Sequence, residues 1–405
     1  MSTTSTLRIL VAGGGIAGNA VALQLLRAGV ATTVVERADA PRPGGQAVDL
    51  RSASREVAER MGLMEGIAKF QLHEEGLNLV DRKGKDVYRM PADMFEGKGP
   101  VAEIEITRGD LNEVLLTEIV SVSERLDYRY GEWITDLTQD ESGVAVTFAS
   151  GGTERFDLVI GADGVHSATR RMAFGPEEEF GTYLGGYMSF FTIPTPKDGI
   201  TPGWMTMHPV PRASVGIRPD GDPVTSKAII TLRCDKDPAL RRDVAAQKQL
   251  ISDMLAKAGW HADYVLEAMA TTPDFYFDEL ERVDMPTLNA GRVTLLGDAG
   301  FCGSPMTGMG TAMALVGAYI LAGEIASSPD DLTAALARYE AAIVPFLDKA
   351  KELPGGGLKM MLPTTEFGLK AALTMGKMMT LKPFRPIMMK MLEQTSDYVL
   401  PTYRA

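Results

Sequence analysis

The sequence predicts an α/β protein with a first domain built on parallel strands, an inserted β-sheet domain and a helical C-terminal tail. Three observations lead to this fold class. The chain opens with a strand–helix–strand pattern, its middle is rich in strand-forming residues and prolines, and its end is helical and rich in methionine. The 405 residues are enough for two or three domains with a large buried core.

The opening pattern is a strand, a turn, a helix and a second strand. Residues 7–12 form a short apolar run bounded by glycines, which is typical of a buried parallel strand. Apolar residues recur at helical spacing over 16–28, Gly29 suits a helix C-terminus, and 31–36 is again rich in strand formers. The apolar stretch 9–26 is long enough to span a bilayer, but glycines interrupt it and no cleavage site follows. We therefore expect a βαβ unit and neither a signal peptide nor a membrane anchor.

The later elements follow from local composition and turn residues. The strand-rich middle contains many prolines, so we expect it to form a separate sheet. In chain order the predictions are a hairpin at 77–90, a strand at 101–107, a helix at 110–120, an antiparallel meander at 128–160, the separate sheet at 182–234, a helix at 238–258, a buried strand at 292–296 and a long helix of small residues at 308–326.

The composition argues against several classes of function. The net charge is −12 and the pI is near 5.0, whereas a nucleic-acid-binding surface is basic. Cys234 and Cys302 lie far apart and form neither a CxxC motif nor a disulfide framework, so we expect a reducing, cytoplasmic compartment. The four histidines show no metal-ligand spacing, and we expect no metal site.

A glycine-rich turn joins the first strand to the first helix with the spacing GxGxxG. The first glycine makes the tight bend, the second lets a pyrophosphate approach the backbone, and the third lets the helix pack on the sheet. Unpaired N–H groups and a positive dipole end favour the phosphates. Glu36 ends the second strand, where a carboxylate accepts ribose hydroxyls and repels a 2′-phosphate, so the pattern indicates FAD or NAD and not NADP. The predicted contacts are Gly13, Gly15, Ile16, Ala17, Gly18 and Glu36.

Two further segments favour FAD over NAD. One carries Asp163-Gly164 after an apolar run, and the other carries Gly297-Asp298 in the same setting. With the GxGxxG, DG and GD signatures in this order and at about this spacing, the sequence resembles the class A flavoprotein aromatic hydroxylases, which are the para-hydroxybenzoate hydroxylase-like monooxygenases. The resemblance covers residues 7 to about 345. Features at 45–50 and 107–111 are similar to those of antibiotic-tailoring hydroxylases and tetracycline-inactivating monooxygenases.

The resemblance implies a Rossmann-like domain of the GR2/PHBH type with non-covalently bound FAD. Within it, Asp298 would bind a ribityl hydroxyl, Arg108 would reach the pyrophosphate, and Arg37 would lie beside the adenine. Asp49 would lie near the flavin. The further cofactor contacts that we expect are Val48, Arg51, Asp163, Gly297 and Thr311.

The resemblance also implies where the chemistry takes place. Pro305 would lie at the face of the flavin and exclude water, and the N–H groups that open the next helix would stabilise the reduced, anionic flavin. The predicted catalytic residues are Pro305, Gly308, Met309 and Gly310.

Three residues depart from the family pattern in this region. The usual histidine after the GD motif is Phe301, and the usual asparagine and aspartate of the following helix are Ala312 and Gly317. A histidine-based proton path is therefore not expected at this point.

The implied reaction is hydroxylation of an aromatic or polycyclic, polyketide-like or antibiotic-like molecule by NAD(P)H and O2, through a C4a-hydroperoxyflavin. A second GxGxxG is missing from the sequence, so NADPH or NADH would visit as a co-substrate without a domain of its own. Apolar side chains of the strand-rich region would line the substrate pocket. These candidates, with one arginine, are Met188, Phe190, Met205, Met207 and Arg218.

Two alternatives remain open at this point. The protein could oxidise or reduce its substrate without inserting oxygen, or it could bind flavin without catalysis. We expect a monomer or a homodimer, and no stable insertion into a membrane.

The domain boundaries follow from the motifs and the composition. The FAD-binding domain is predicted at 1–75, 101–175 and 285–350, the substrate domain at 76–100 and 176–284, and the tail at 351–405. Eight of the 23 methionines lie in the tail. Three interpretations of this segment stay open: packing against the body, a pliable lid over the substrate pocket, or a basic amphipathic segment that contacts a membrane.

Overall fold

A six-stranded sheet and a seven-stranded sheet form the two halves of the protein. The computed structural model describes residues 7–42, 44–95, 102, 104–353, 356–386 and 398–403. The strands are β1 Arg8–Ala12, β2 Ala31–Glu36, β3 Ala47–Asp49, β4 Gly76–Val80, β5 Asp86–Pro91, β6 Glu105–Thr107, β7 Leu126–Tyr130, β8 Ile134–Asp140, β9 Gly143–Phe148, β10 Thr153–Phe156, β11 Leu158–Gly161, β12 Gly181–Pro194, β13 Trp204–Val210, β14 Ala213–Pro219, β15 Thr225–Arg233, β16 Tyr276–Val283, β17 Asn289–Ala290 and β18 Val293–Leu295.

The helices cover both sheets, and the α/β fold class is confirmed. They are α1 Ile16–Arg27, α2 Ser52–Arg60, α3 Met64–Phe70, α4 Arg108–Val120, α5 Ala168–Ala173, α6 Val244–Leu255, α7 Ala262–Thr271, α8 Asp298–Phe301, α9 Gly310–Ser327, α10 Leu332–Ala350, α11 Leu358–Met361 and α12 Glu366–Met379.

The six-stranded sheet has the order β17-β18-β11-β1-β2-β7, and we call it, with the helices packed on it, the parallel domain. The strands β1, β2, β7, β11 and β18 run parallel, as predicted for the βαβ opening. Their carboxyl ends therefore meet at one edge, where ligands of open α/β sheets bind. This edge brings the loop before α1, the loop after β11 and the loop after β18 close together.

The predicted meander at 128–160 is partly wrong. Only β8, β9 and β10 form an antiparallel sheet, which packs on the face of the parallel sheet away from α1. β7 pairs with β2 and β11 pairs with β1, both in parallel. A pairing between strands so distant in sequence leaves no local signal, although the four buried residues of β11 are typical of a central parallel strand.

The seven-stranded sheet, which with α6 and α7 we call the sheet domain, has the order β16-β12-β15-β14-β13-β4-β5. Alternate residues of its central strands form a core with α6 and α7 on one face. The opposite face, which we call the open face, carries every residue predicted to line the substrate pocket. These residues are Met188, Phe190, Met205, Met207 and Arg218.

α9 forms the centre of the parallel domain, where it packs on α1, α2 and α10. By length and composition it could cross a membrane, but 72% of it is buried inside the protein. It is therefore a core helix, which explains its small and apolar residues.

The tail divides into two parts. α11 packs on β12, and α12 lies across β5 and β13, where Gly376 contacts Tyr88 on the open face. Residues 398–403 return to the parallel domain, because Leu400 is buried in its core and Tyr403 packs on α9. Pro354 and Gly355 near the start of the tail, and the methionines at 388, 389 and 391, lie outside the described residues.

Candidate active site

The glycines of the first turn have three different surroundings. Gly13 has a φ of +110°, and a Cβ there would lie 2.4 Å from the carbonyl oxygen of Ala162. A Cβ on Gly18 would lie 1.8 Å from the carbonyl oxygen of Gly13, so only glycine lets α1 approach the strand end. A Cβ on Gly15 would meet only Arg108 Nη2, at 4.0 Å. Gly13 and Gly18 thus pack the protein against itself, and Gly15 faces open space.

The start of α1 is a cradle of unpaired donors. The backbone N–H groups of residues 15–18 have no acceptor in the part of the chain that the structure describes. Such groups, together with the positive end of the helix dipole, bind a phosphate or pyrophosphate. The open space at Gly15 is where this group would approach, so the residues present fit a dinucleotide.

Glu36 closes the other side of the cradle. Its carboxylate accepts hydrogen bonds from the N–H of Gly14 and of Ala38, both at 2.8 Å, and each oxygen keeps a further lone pair for a ribose hydroxyl. The neighbouring Arg37 is exposed and stacks over Trp133 at 5.3 Å. The ribose contact of Glu36 and the adenine contact of Arg37 stay predictions.

A continuous set of contacts leads from α1 to α9. A Cβ on Gly297, which has a φ of +64°, would lie 2.8 Å from Ala17 Cβ, so the GD turn lies directly against the start of α1. Asp298 follows, and its Oδ1 lies 4.0 Å from a Cβ built on Gly310. The two helix N-termini therefore lie on one elongated track, as an extended dinucleotide requires.

The track contains one partly buried carboxylate and one exposed guanidinium. Burial raises the pKa of Asp298, and the positive charge of Arg108 partly opposes this rise. Arg108 is exposed, and its side chain makes no hydrogen bond or ion pair with any described residue, although its backbone N–H donates to the carbonyl of Gln46 at 3.0 Å. A hydroxyl-rich linker beside Asp298 and a pyrophosphate beside Arg108 suit these two groups.

Other predicted cofactor residues already have partners within the protein. Asp163 accepts bonds from the Ser167 hydroxyl at 2.5 Å and the Thr169 N–H at 2.9 Å, and thereby holds the start of α5. Asp49 and Arg51 pair with each other at 2.5 Å, next to Val48 in β3. Direct contacts of these four predicted residues (Val48, Asp49, Arg51 and Asp163) with a cofactor stay predictions.

The loop before α9 differs slightly from the prediction. The helix begins at Gly310 and not at Gly308, because Gly308 adopts a left-handed conformation with a φ of +65°. A Cβ on Gly308 would meet nothing within 4 Å, so this side of the loop is open. The N–H groups of Gly310 and Thr311 find no acceptor among the described residues, whereas Met309 N–H bonds to Thr307 at 3.2 Å. Pro305 starts the single 3₁₀ turn of this loop.

Two of the residues that depart from the family pattern, Phe301 and Gly317, are neighbours in the structure. Phe301 is 1% exposed and lies in the core of the parallel domain. A Cβ on Gly317 would lie 3.1 Å from the tip of its ring. The phenylalanine therefore occupies the space that a side chain at 317 would need, and it cannot act as a proton carrier.

The apolar residues of the open face lie close to this loop. Met188 and Met306, the neighbour of Pro305, both pack against a buried cluster that includes Leu358 and Leu362 of the tail. Met207 packs with a cluster of β4 and β5, and α12 covers the adjacent strands. Substrate contacts by these residues stay predictions.

Arg218, the arginine among the predicted pocket residues, has partners within the protein. Its guanidinium pairs with the buried carboxylates of Glu74 and of Glu105, the latter at 3.1 Å. Burial, only partly opposed by Arg218, raises the pKa of Glu105 to about 8. Arg218 thus links β14 to β6, and its contact with a substrate stays a prediction.

One cluster escaped the sequence analysis. His166, which follows the DG motif, contacts Glu177 Oε1 through Nδ1 at 2.9 Å and Asp278 Oδ1 through Nε2 at 3.0 Å. Asp278 in turn accepts a hydrogen bond from Tyr276 at 2.9 Å. The position of His166 just after the DG motif could have marked it in the sequence. Its partners could not be predicted, because only the folded chain brings them to it.

The three glycine environments predict different effects of substitution. We expect the Gly15→Val apoprotein to fold with the Tm of the wild-type apoprotein but not to bind FAD, because the new side chain fills the cradle without touching the protein. We expect Gly18→Ala to lower the Tm of the apoprotein. Gly152→Val is the matched control, since a Cβ there meets nothing within 4 Å. Absorbance of bound flavin and thermal melting are the measurements; full flavin binding by Gly15→Val would contradict this placement of the dinucleotide.

The His166 cluster predicts a pH-dependent stability. Hydrogen bonds to Asp278 and Glu177 raise the pKa of His166 from 6.5 to about 9. The stabilisation is therefore complete below the unfolded value of 6.5 and is lost as the pH rises through 9. We expect the difference in Tm between the wild type and His166→Gln to shrink over this range. His261→Gln, outside the cluster, serves as the control, and a difference that stays constant would rule out this ion-pair arrangement.

Comparison with known proteins agrees with the predicted family. A family described as an FAD binding domain matches residues 6–346. A flavin-dependent monooxygenase of Legionella longbeachae is 36% identical over 345 residues, which cover 85% of this chain and 87% of the relative. The FAD-dependent monooxygenase asL6 of Sarocladium schorii is 33% identical over 418 residues and covers 98% of both chains.

Solved structures share the whole fold. Tetracycline destructase Tet(55) superposes with a TM-score of 0.81 at 31% identity, with 100% of both chains covered. Tetracycline destructase Tet(51) gives a TM-score of 0.79 at 30% identity, with 98% of this chain and 100% of its own covered. The glycine cradle, the track to α9 and these matches lead to one conclusion: the chain belongs to the FAD-dependent monooxygenases of the para-hydroxybenzoate hydroxylase-like class.

Proposed function

We propose that this monooxygenase takes electrons from NADPH or NADH and inserts one atom of O2 into an aromatic or polycyclic small molecule. The observation that carries the proposal is the track of unpaired N–H groups from α1 to α9, which ends beside the apolar open face. Two relatives named for tetracycline destruction act on a polycyclic molecule, which supports this class of substrate.

The bound FAD would supply the redox chemistry, since it can accept electrons from NAD(P)H and pass them to O2. The protein's own contribution is positioning. The cradle at 15–18 and Arg108 would hold the pyrophosphate, and Asp298 would hold a hydroxyl of the linker. The N–H groups of Gly310 and Thr311 would stabilise negative charge at the end of the track.

Water exclusion is the second task of the chain. Pro305 and Met306 border the track on one side, and Met306 and Met188 of the open face pack against the same buried cluster. Because Phe301 carries no titratable group, protons at this place must come from substrate, solvent or another residue. An apolar wall of this kind suits an aromatic substrate and keeps water from the reacting atoms.

The co-substrates and the surroundings of the protein are also proposals. NADPH or NADH would bind transiently, because the described residues contain one glycine cradle of the dinucleotide type. Both cysteines are free thiols, which supports the cytoplasmic location that we propose. We propose a monomer or a homodimer.

The function is tested with purified protein, NADPH or NADH, and a panel of aromatic and polycyclic compounds. We expect the protein to carry FAD that is released on denaturation, and we expect a substrate to accelerate NAD(P)H oxidation. The product should gain one oxygen atom that comes from isotopically labelled O2, as judged by mass spectrometry. A product without added oxygen would identify an oxidoreductase of another type, and no stimulation by any compound would favour flavin binding without catalysis.

The tail is expected to keep water out of the pocket. Leu358 is 3% exposed and packs with Met188 and Met306, so Leu358→Asp should detach this part of the tail. We expect NAD(P)H oxidation to continue, with hydrogen peroxide released in place of oxygenated product. Phe367→Asp is the matched control, because Phe367 is in the same tail but 84% exposed. Equal product yield per NAD(P)H in both variants would reduce the role of the tail to packing.

A further inference from the structure

Tyr276 lies on the open face of the sheet domain, although no motif marks it. It begins β16 and pairs in register with Phe190 of β12, whose ring lies 6.2 Å from its own. Its side chain is large and 45% of the residue is exposed, so it lies at a surface and not in a core. α8, which begins at Asp298, packs on β16, and Asp278 of β16 contacts His166 in the loop after β11 at 3.0 Å. Both contacts place β16 beside the carboxyl edge of the parallel sheet, next to the track.

The phenol is held from behind by an ion pair. Tyr276 donates to Asp278 Oδ2 at 2.9 Å, and His166 Nε2 donates to Asp278 Oδ1 at 3.0 Å. Burial opposes ionisation of Asp278, but its hydrogen bond with His166 and the charge of that ring hold the pKa of Asp278 below the ordinary value. Asp278 is therefore an acceptor on both oxygens near neutral pH.

The surroundings of His166 keep this arrangement charged. Glu177 accepts from His166 Nδ1 at 2.9 Å, and Glu281 of β16 lies 4.0 Å from the same nitrogen. Arg241 also donates to Glu177, at 2.8 Å, and brings a second positive charge to the cluster. Three carboxylates thus face one imidazolium and one guanidinium, and the ring stays doubly protonated until the pH approaches 9.

These contacts determine which atom Tyr276 offers to the cleft. A tyrosine hydroxyl has one proton, and here Asp278 takes it. The phenol oxygen can then offer only its lone pairs to a bound molecule. We propose that Tyr276 is a cofactor-binding residue whose oxygen accepts a hydrogen bond from a hydroxyl or N–H of FAD, with Asp278 and His166 as the positioning residues that fix this direction.

The proposal rests on FAD binding in the track, and not on the insertion of oxygen. A donor on the cofactor is the partner that this geometry selects, because the proton of the phenol is already donated to Asp278. A carbonyl or phosphate oxygen placed there would meet a second acceptor and be repelled. Tyr276 would in this way help to distinguish the linker and ring end of FAD from its phosphates.

The test compares FAD affinity of apoprotein variants by quenching of flavin fluorescence. We expect Tyr276→Phe to raise the Kd for FAD about threefold to tenfold through the loss of one hydrogen bond. Asp278→Asn keeps the size of the side chain, but its amide can donate to the phenol oxygen and turn the tyrosine proton toward the cleft. We expect this variant to raise the Kd at least as much. Tyr264→Phe, whose hydroxyl bonds to the backbone of Pro194 on the sheet domain, is the control.

The double variant Tyr276→Phe with Asp278→Asn separates positioning from a general loss of structure. If Asp278 acts through the phenol, the double variant binds FAD no more weakly than Tyr276→Phe alone. An unchanged Kd for Tyr276→Phe, or independent losses that multiply in the double variant, would overturn the proposal. Melting curves show whether each apoprotein is folded. If Asp278→Asn does not fold, the Kd of Tyr276→Phe for FAD tests the proposal alone. A wild-type protein that fails to bind FAD would instead overturn the cofactor assignment itself.

Discussion

The close approach of α1 to the carboxyl end of β1 is the contact on which the rest of the site depends. Gly18 lies so near the carbonyl of Gly13 that a single carbon atom would force the helix away. With the helix in place, its first N–H groups point across the edge of the parallel sheet, where the dipole favours anions. The loops after β11 and β18 reach the same edge because their strands run parallel to β1. One steric contact therefore sets the position of Asp298 and, through it, of α9.

The second constraint is electrostatic and joins the two domains. Arg218 comes from the open face of the sheet domain, and Glu105 comes from β6, which pairs with β3 beside the cradle. Glu74 adds a second buried carboxylate. Such a cluster adds little net stability, because desolvation offsets the attraction, but the loss of one member would leave a buried charge without compensation. The cluster fixes the position of β14 relative to the strand pair β3–β6.

The sequence predicts those parts of the site that local spacing determines. GxGxxG, Glu36 and the GD turn are short patterns whose backbone demands can be read directly, and the structure brings them together on one track. The partners of Arg218 and of His166 are different, because Glu74, Glu105 and Asp278 come from remote strands. A buried ion pair looks in sequence like ordinary surface charge. The parallel pairing of β7 with β2 was missed for the same reason, since only the fold makes them neighbours.

The path of the tail has a consequence for motion. After crossing the sheet domain, the chain returns to the parallel domain, where Tyr403 packs against Gly323 and Arg60 donates to the carbonyl of Pro401 at 2.8 Å. The first and last described segments, residues 7–42 and 398–403, thus belong to the same domain, and several separate connections run between the two halves. Two domains joined by two neighbouring strands can rotate about that hinge. Several connections at separate places restrict such a rotation. Small molecules then enter and leave through local movements of side chains and of the strap formed by α11 and α12. The flexible side chains of the methionines in that strap suit such movements.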